Sequence, residues 1–474
     1  MNVSDKRPEL LAPAGGPEAF RAALHWGADA VYLGLKNPFN ARTKADNFAI
    51  EDLPEIIARA HSRNVKIYIA FNTLIRQSEF ERAAAEALAA YRTGADALIV
   101  QDFGLAAELL KRDPHIVLHA STQAGIHNVE GALYAKDCGF RRVILSRETP
   151  LSEIRRIKEK TGMETEVFVH GALCVSFSGA CYFSSVVSGN SGNRGKCLQF
   201  CRKQYSGQWS VAGGQLNDNA QCAMHNAQLK DGNSGRLTAD GRQLKAQSAE
   251  KFPSAGGVAA KRTGWPANEN KTDSRQPNHR PAANGYLLSP ADLCLLNELS
   301  ALRDAGVDCF KIEGRMRRPE YVAETVRTYR RALDGVRDPD ALNRLKTVYN
   351  RGDFTTGYLY GVQPDFLSKD IQGHKGLYVG EVLRVNGRFL DVKPAARCES
   401  GVGAADGRPN KSGRKGVAAV FEDGNAFKLL RGGQEVGSAL YEKGRLVYSG
   451  KPRPGDKLHI TTSARQNKEL FTIQ

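Results

Sequence analysis

The amino-acid sequence predicts an α/β protein: a (β/α)₈ TIM-like barrel with a long insertion after the seventh strand and a small C-terminal all-β domain. Three observations lead there. Through the first 170 residues, helix-period segments alternate with short, β-branched apolar runs, the pattern of parallel βα units. Glycines close the predicted helices at Gly27, Gly94, Gly139 and Gly162, as left-handed C-caps require. From His374 onward the pattern changes to short alternating strands, which reads as a small β-barrel.

The elements follow in order. ELLAPAG (Glu9–Gly15) is the first strand and PEAFRAALHWG its helix. ADAVYLGL (Ala28–Leu35) is the second strand, followed by the helix EDLPEIIARAHSRN. VKIYIAFNT (Val65–Thr73) is the third, before the amphipathic SEFERAAAEALAAYRTG. ADALIVQD (Ala95–Asp102), HIVLHASTQ (His115–Gln123), RRVILSRE (Arg141–Glu148) and TEVFVHG (Thr165–Gly171) continue the series, with helical segments between them. The eighth unit comes late. SPADLCLLNELSALRDAG reads as a helix, VDCFKIEGR (Val307–Arg315) as the eighth strand and RPEYVAETVRTYRRALDG as the last helix. An open doubly wound sheet is the alternative, but no G-x-G-x-x-G follows the first strand.

The expected organisation is therefore residues 1–205 for strands one to seven with a cysteine-rich loop, and 206–284 for an insertion. Residues 285–335 hold the eighth strand and last helix, 336–372 a helical and aromatic connector, and 373–474 the small β domain. The insertion is rich in Gly, Asn, Ser and Lys and poor in large apolar residues, a composition that predicts weak structure. The β strands are GLYVGEVLRV, RFLDVKP, GVAAVFED, GRLVYSG and DKLHITT, with GVGAADGRPNKSGRKG as a basic loop.

Apolar content of 41% and charged content of 25% are those of a globular protein. No run approaches a membrane span, so no membrane partner is expected. The first residues lack a signal-peptide core, and a cytoplasmic protein is expected. The formal charge of +16 favours a polyanion partner, nucleic acid first; the plainer reading is a solvated basic surface.

In a barrel of this type the chemistry lies at the C-terminal ends of the strands. Polar residues gather there: Asn72 and Thr73, Gln101 and Asp102, Ser121, Thr122 and Gln123, Arg147 and Glu148, His170, and Lys311, Glu313 and Arg315. Some would serve only as caps and loop anchors. From this ring, Glu313, His170 and Arg147 are the candidate catalytic residues. Asn72, Gln123 and Arg315, with Arg42 from an earlier loop, are the candidate substrate-binding residues.

The seventh loop carries Cys174, Cys181, Cys197 and Cys201, four of nine cysteines. A reducing compartment disfavours disulfides. Structural zinc prefers two close C-x₂₋₄-C pairs, and only Cys197 and Cys201 form one. An iron–sulfur cluster is larger than one ion and tolerates the wider spacing. Glycines and serines in the loop would let amides approach sulfur, and Arg194, Lys196, Arg202 and Lys203 would favour thiolates. Spacing alone leaves a cluster, zinc and plain buried thiols all open. Cys138, Cys294 and Cys309 read as core, and Cys222 and Cys398 as weaker replacement ligands.

ELLAPAGGPEAFRAALHWGADAVYLGL, FNAR, VFVHGALC, SGACYFSS, YLLSPADLCLL and KIEGRMRRPEYVAETVRTYRRALD together resemble peptidase family U32, the collagenase-like peptidases. The resemblance covers residues 8–335 apart from the insertion. GLYVGEVLRV and GDKLHI are similar to the β appendage of the branch that hydroxylates bacterial ribosomal RNA. The name implies proteolysis. Several members, however, are oxygen-independent hydroxylation proteins acting on a ribosomal cytidine, on a wobble uridine of transfer RNA or in ubiquinone synthesis. The resemblance implies a [4Fe–4S] cluster on Cys174, Cys181 and Cys197, with Cys201 as the fourth ligand on the RNA-modifying pattern. It also implies prephenate as co-substrate and dependence on the iron–sulfur assembly machinery. The insertion is longer than in that branch.

Three functions follow as expectations. The first is hydroxylation of a pyrimidine in ribosomal or transfer RNA, with Phe39, Tyr182, Phe183 and Phe200 as possible stacking partners of the base. Arg42, Arg147 and Arg315 would hold phosphate or an acidic metabolite such as prephenate. The second is a peptidase, although H-E-x-x-H and G-x-S-x-G are both missing from the sequence. The third is a non-catalytic RNA-binding or assembly factor.

Overall fold

Eight parallel strands close into a barrel: β1 (Glu9–Ala14), β2 (Ala30–Gly34), β3 (Lys66–Phe71), β4 (Ala97–Val100), β5 (Leu118–Ala120), β6 (Arg142–Ile144), β7 (Glu164–Ala172) and β9 (Cys309–Ile312). This computed structural model describes residues 7–205, 285–361, 363–364, 366–395 and 420–472. The predicted insertion, the basic loop of the β domain, Cys222 and Cys398 lie outside the described residues. Closure comes where β9 pairs with both β7 and β1, placing Cys309 opposite Glu166 and Glu9. The outer ring comprises α1 (Pro17–His25), α2 (Leu53–His61), α3 (Phe80–Arg92), α4 (Phe103–Arg112), α5 (Val129–Asp137), α6 (Leu151–Thr161), α8 (Leu299–Asp304) and α9 (Pro319–Leu333). Between β7 and the eighth barrel strand lies the short helix α7 (Phe183–Ser188).

One predicted helix is corrected. The segment SPADLCLLNELSALRDAG begins as a strand, β8 (Asp292–Cys294), and turns helical only later, at α8. Strand β7 has nine residues and overhangs its neighbours, so its free end pairs antiparallel with β8, Ala172 opposite Asp292. A tertiary pairing thus overrides local helix propensity. Helix α10 (Ala341–Val348) and β10 (Phe354–Thr355), parallel to β8, follow the barrel.

The C-terminal part closes into a six-stranded barrel in the order β11-β12-β15-β14-β13-β16. Its strands are β11 (Leu377–Asn386), β12 (Phe389–Pro394), β13 (Ala426–Arg431), β14 (Gln434–Glu442), β15 (Arg445–Gly450) and β16 (Lys457–Thr462). Strands β13 and β14 escaped the sequence reading. Their signal is Gly432–Gly433, both at positive φ, a two-residue hairpin turn. The predicted strand GVAAVFED is not one where it is described: Val420–Asp423 forms a turn. Helix α11 (Ala464–Phe471) returns to the large barrel, where Gln466 donates to Glu324 at 3.1 Å and Trp26 Nε1 donates to Leu470 O at 3.2 Å.

The barrel interior is partly ionic. Glu166, with no exposed surface, accepts from Lys311 at 2.7 Å and from Arg142 at 3.3 Å. Arg142 also pairs with Glu9 at 2.7 Å and Glu164 at 2.9 Å. Lys311 Nζ lies 4.3 Å from the centre of the Tyr32 ring. Each charge is matched, so the desolvation cost of one is offset by its neighbours.

Strand β7 carries a bulge between Phe168 and His170. Alternation from Glu166 and Phe168 would aim His170 into the barrel; the bulge turns it outward against α9. Its ring packs among Tyr321, Tyr329 and Phe354, with centroids 5.8, 5.5 and 5.3 Å away. Burial, helped by Arg317, pushes its pKa down to about 3.

Two outcomes are expected. Glu166→Gln leaves buried Lys311 without its carboxylate, while Arg142 keeps Glu9 and Glu164, and costs about 3 kcal/mol in urea denaturation. Acid should also destabilise the fold. Unfolded, His170 takes a proton near pH 6.5; folded, only near pH 3. Its contribution is full above pH 6.5 and shrinks as the pH falls toward 3. Melting temperatures at pH 7 and pH 5 should therefore fall less in His170→Phe than in the parent.

Candidate active site

At the mouth of the large barrel, one carboxylate is surrounded by three guanidinium groups. Glu313 follows β9. Its N–H donates to His170 O at 2.8 Å, and its carbonyl accepts from Tyr321 Oη at 2.9 Å. Strand β7 and helix α9 thus hold its backbone. Its carboxylate accepts from Arg42 Nη2 at 2.9 Å, and Arg147 Nη2 stands 3.7 Å away. Burial alone would raise the Glu313 pKa, but Arg42, Arg147 and Arg315 outweigh it and hold the carboxyl down at about 2. Arg315 is 4% exposed and donates to Asn40 Oδ1 at 3.3 Å. Burial lowers its pKa to about 10, so it stays charged at neutral pH. Arg147 lies over the Phe168 ring at 4.3 Å, and its buried Nε has no hydrogen-bond partner among the described residues. Three cations face one anion here. Within this group two positive charges lack a counter-charge, and one buried N–H lacks an acceptor, so the site suits an anionic ligand.

The cysteine loop closes over this mouth and is tied down at three places. Gly179, at φ +79°, packs so tightly on Gln123 that a Cβ there would lie 1.9 Å from the Gln123 carbonyl oxygen. Ser178 beside it donates to Glu148 at 3.1 Å. Gly195 rests on the Asn40 carbonyl and accepts from Thr43 Oγ1 at 3.1 Å, while Arg194 pairs with Glu79 at 2.7 Å. Arg202, 5% exposed, donates to Ser289 Oγ at 3.0 Å and to the carbonyls of Leu173 and Pro290. Arg194 and Arg202, expected to favour thiolates, are also struts of the loop, and Arg202 still pulls the Cys201 pKa down. Charge proximity alone could not distinguish those roles.

The loop brings the four thiols into one another's electrostatic reach. Burial pushes Cys201 up to about 11; Cys174, Cys197 and Cys181 add to that rise, and Arg202 opposes it. Cys197 accepts a hydrogen bond from the Gln199 N–H at 3.3 Å. Two residues before it, Gly195 rests on the loop that bears Arg42, whose charge Glu313 chiefly stabilises. The thiols are free. Among the described residues, no three His, Cys, Asp or Glu side chains group at the spacing of a single metal ion. Four sulfur donors on one loop, with an amide aimed at one of them, are a donor set whose chemistry suits a thiolate-ligated group.

Arg42, Arg147, Glu313 and Arg315 thus come together. Asn72 supports them: its Oδ1 accepts from the Ala41 N–H at 2.9 Å and fixes the Arg42 loop. Gln123 supports the cysteine loop through its carbonyl, which also accepts from Gln101 Nε2 at 3.1 Å. His170 sits apart, in its aromatic shell. Phe39 has no exposed surface, and Phe183 and Phe200 pack on each other with ring centroids 5.9 Å apart. Tyr182 is 67% exposed. The sequence reading missed Asn40, Ser178 and Tyr321 as site residues, although each lies within a quoted motif, FNAR, SGACYFSS and KIEGRMRRPEYVAETVRTYRRALD.

The chain is 35% identical over 407 residues to a 23S rRNA 5-hydroxycytidine synthase of Escherichia coli, covering 83% of this chain and 51% of the relative. It thus spans about half the length of that relative. It is 30% identical to the tRNA hydroxylation protein P1 of Bacillus subtilis, covering 70% of this chain and 64% of the relative. A collagenase of Porphyromonas gingivalis is 31% identical, with 76% of this chain and 75% of the relative covered. Among the described residues, no helix is long and apolar enough to cross a membrane. The model of Peptidase family U32 matches residues 15–367, most of the chain, so this protein belongs to peptidase family U32.

Proposed function

We propose that this protein hydroxylates a pyrimidine base in ribosomal or transfer RNA, using an iron–sulfur cluster and an acidic co-substrate. One observation carries the reading: the four-thiol loop packs on the loop that bears Arg42 at the arginine-rich mouth, Gly195 resting on the Asn40 carbonyl and accepting from Thr43 Oγ1 at 3.1 Å. The names of the ribosomal and transfer RNA relatives support the substrate class. Cys174, Cys181, Cys197 and Cys201 would hold a [4Fe–4S] cluster, which supplies redox or Lewis-acid chemistry when bound. Arg42, Arg147 and Arg315 would clamp a dianion, and prephenate, a dicarboxylate, fits their excess charge.

Glu313 then has a positioning role first. Held ionised, it cannot donate a proton at neutral pH, but it keeps Arg42 and Arg147 extended across the mouth. An anion that draws Arg42 away removes its main counter-charge, and the carboxyl pKa rises toward the range of a useful acid. Asn72 and Gln123 would hold the two loops that frame the base. We place the activity in the cytoplasm, with the iron–sulfur assembly machinery as a partner. The geometry offers peptide hydrolysis less: His170, four residues before Cys174, is enclosed by aromatic rings.

Mass spectrometry of RNA nucleosides from a strain lacking the gene is expected to show one hydroxylated pyrimidine lost; an unchanged profile refutes the reading. Anaerobic reconstitution should yield iron and sulfide in near-equal amounts, and Cys201→Ser should lower both; stoichiometric zinc without iron refutes the cluster. Arg147→Gln should weaken prephenate binding by about ten-fold or more in calorimetry, the value of one charge-assisted contact. Gelatin digestion by cluster-free protein, lost in Cys174→Ser, would instead favour the peptidase.

A further inference from the structure

The cysteine loop also has an outward face that the proposed chemistry does not use. Between Gly171 and Tyr205 there is no Asp or Glu, whereas Arg194, Lys196, Arg202 and Lys203 are all basic. Two of these cations are committed: Arg194 to Glu79, and Arg202 to buried carbonyls. Lys196 and Lys203 are exposed. Two aromatic residues of the loop, Phe183 and Phe200, pack on each other, and Tyr205 donates to Phe200 O at 2.8 Å. The other two are left out of that packing, Phe177 being 69% exposed and Tyr182 67%.

These exposed groups are local to the four thiols. Phe177 opens the turn closed by Ala180 N–H at 3.1 Å, immediately before Cys181, and Tyr182 follows Cys181. Val186, 83% exposed, bonds back to Tyr182 O at 2.9 Å and shares its side of α7. Leu198, 36% exposed, is drawn to the same helix by its N–H on Ser184 Oγ at 3.1 Å. Four large apolar groups this exposed on one short segment mark a contact surface. Exposed aromatic rings and exposed lysines on one segment that holds no acid suit a single-stranded nucleic acid: bases stack on the rings and phosphates meet the ammonium groups.

We propose that Phe177 and Tyr182 form a base-stacking platform for single-stranded RNA, with Lys196 and Lys203 on its phosphates, that delivers an unstacked pyrimidine to the thiol site. The proposal rests on the RNA reading above and adds to it the surface that binds. It requires that the base be presented outside a duplex, which hydroxylation of a ring atom also demands.

The test uses the full chain, reconstituted anaerobically, and fluorescence anisotropy with a labelled pyrimidine-rich oligoribonucleotide, free or locked in a hairpin stem. Phe177→Ala and Tyr182→Ala should each weaken single-strand binding about ten-fold, the usual loss for one stacked base. Phe177→Trp and Tyr182→Phe should restore it. Iron content and melting temperature should match the parent. The slope of affinity against salt should stay constant in the aromatic variants and fall by about 0.7 for each of Lys196→Gln and Lys203→Gln. Parent-like binding by the Phe177→Ala/Tyr182→Ala double variant overturns the platform and leaves the RNA reading standing. No RNA binding by the parent overturns both. A stem bound as tightly as the free strand overturns the platform. Unchanged RNA affinity with reduced iron occupancy also overturns it and assigns the face to a cluster-delivering protein.

Discussion

The ion pair between Glu313 and Arg42 joins residues 271 positions apart, and the barrel mouth is organised around it. Arg42 sits on the loop after β2, and Glu313 follows the last barrel strand, so the pair closes one side of the rim much as β9 closes the sheet beneath it. Arg147 stands 3.7 Å from the same carboxylate, and the charge of Arg315 acts on it too. A buried carboxylate normally protonates more easily, yet here the surrounding cations keep it ionised. Charge balance is reached in the layer below, around Glu166, but not at the rim. That difference separates a structural ion network from one that suits a ligand.

The loop above the mouth depends on the same neighbourhood. Gly195 sits on Asn40, the residue that also holds Arg315, and Thr43 bonds back to Gly195. The thiols are therefore tied to the loop that carries Arg42. Arg202 fixes the far end of the loop on backbone carbonyls near β8. The overhanging end of β7, paired with β8, makes that attachment possible. An anion entering the mouth would meet groups whose position is already set by the thiol loop, and this couples the two halves of the site.

The strand and helix periods of the large barrel were legible because each βα unit buries its own apolar stripe, so the signal is local. The four cysteines were legible as a group for the same reason: they lie on one loop. His170 was legible as a residue at the end of β7 but not as one facing α9, because a single-residue bulge reversed its direction. Helical propensity around Pro290–Leu296 suggested a helix, and a pairing partner over 100 residues away made its first part a strand. Gly432–Gly433 was a hairpin signal in plain view, hidden by a glycine-rich background on either side of it.

By itself, the sequence determined the barrel's repeating units, the identity of the thiol loop and the residue types at the rim, since these follow from periodicity and side-chain chemistry. Tertiary structure alone decided which rim residues meet. Arg42, Arg147, Glu313 and Arg315 become one group only when the sheet closes, and Asn72 and Gln123 take their supporting places only when the loops pack. Electrostatic coupling falls steeply with distance and depends on burial, and neither quantity exists until the chain has folded.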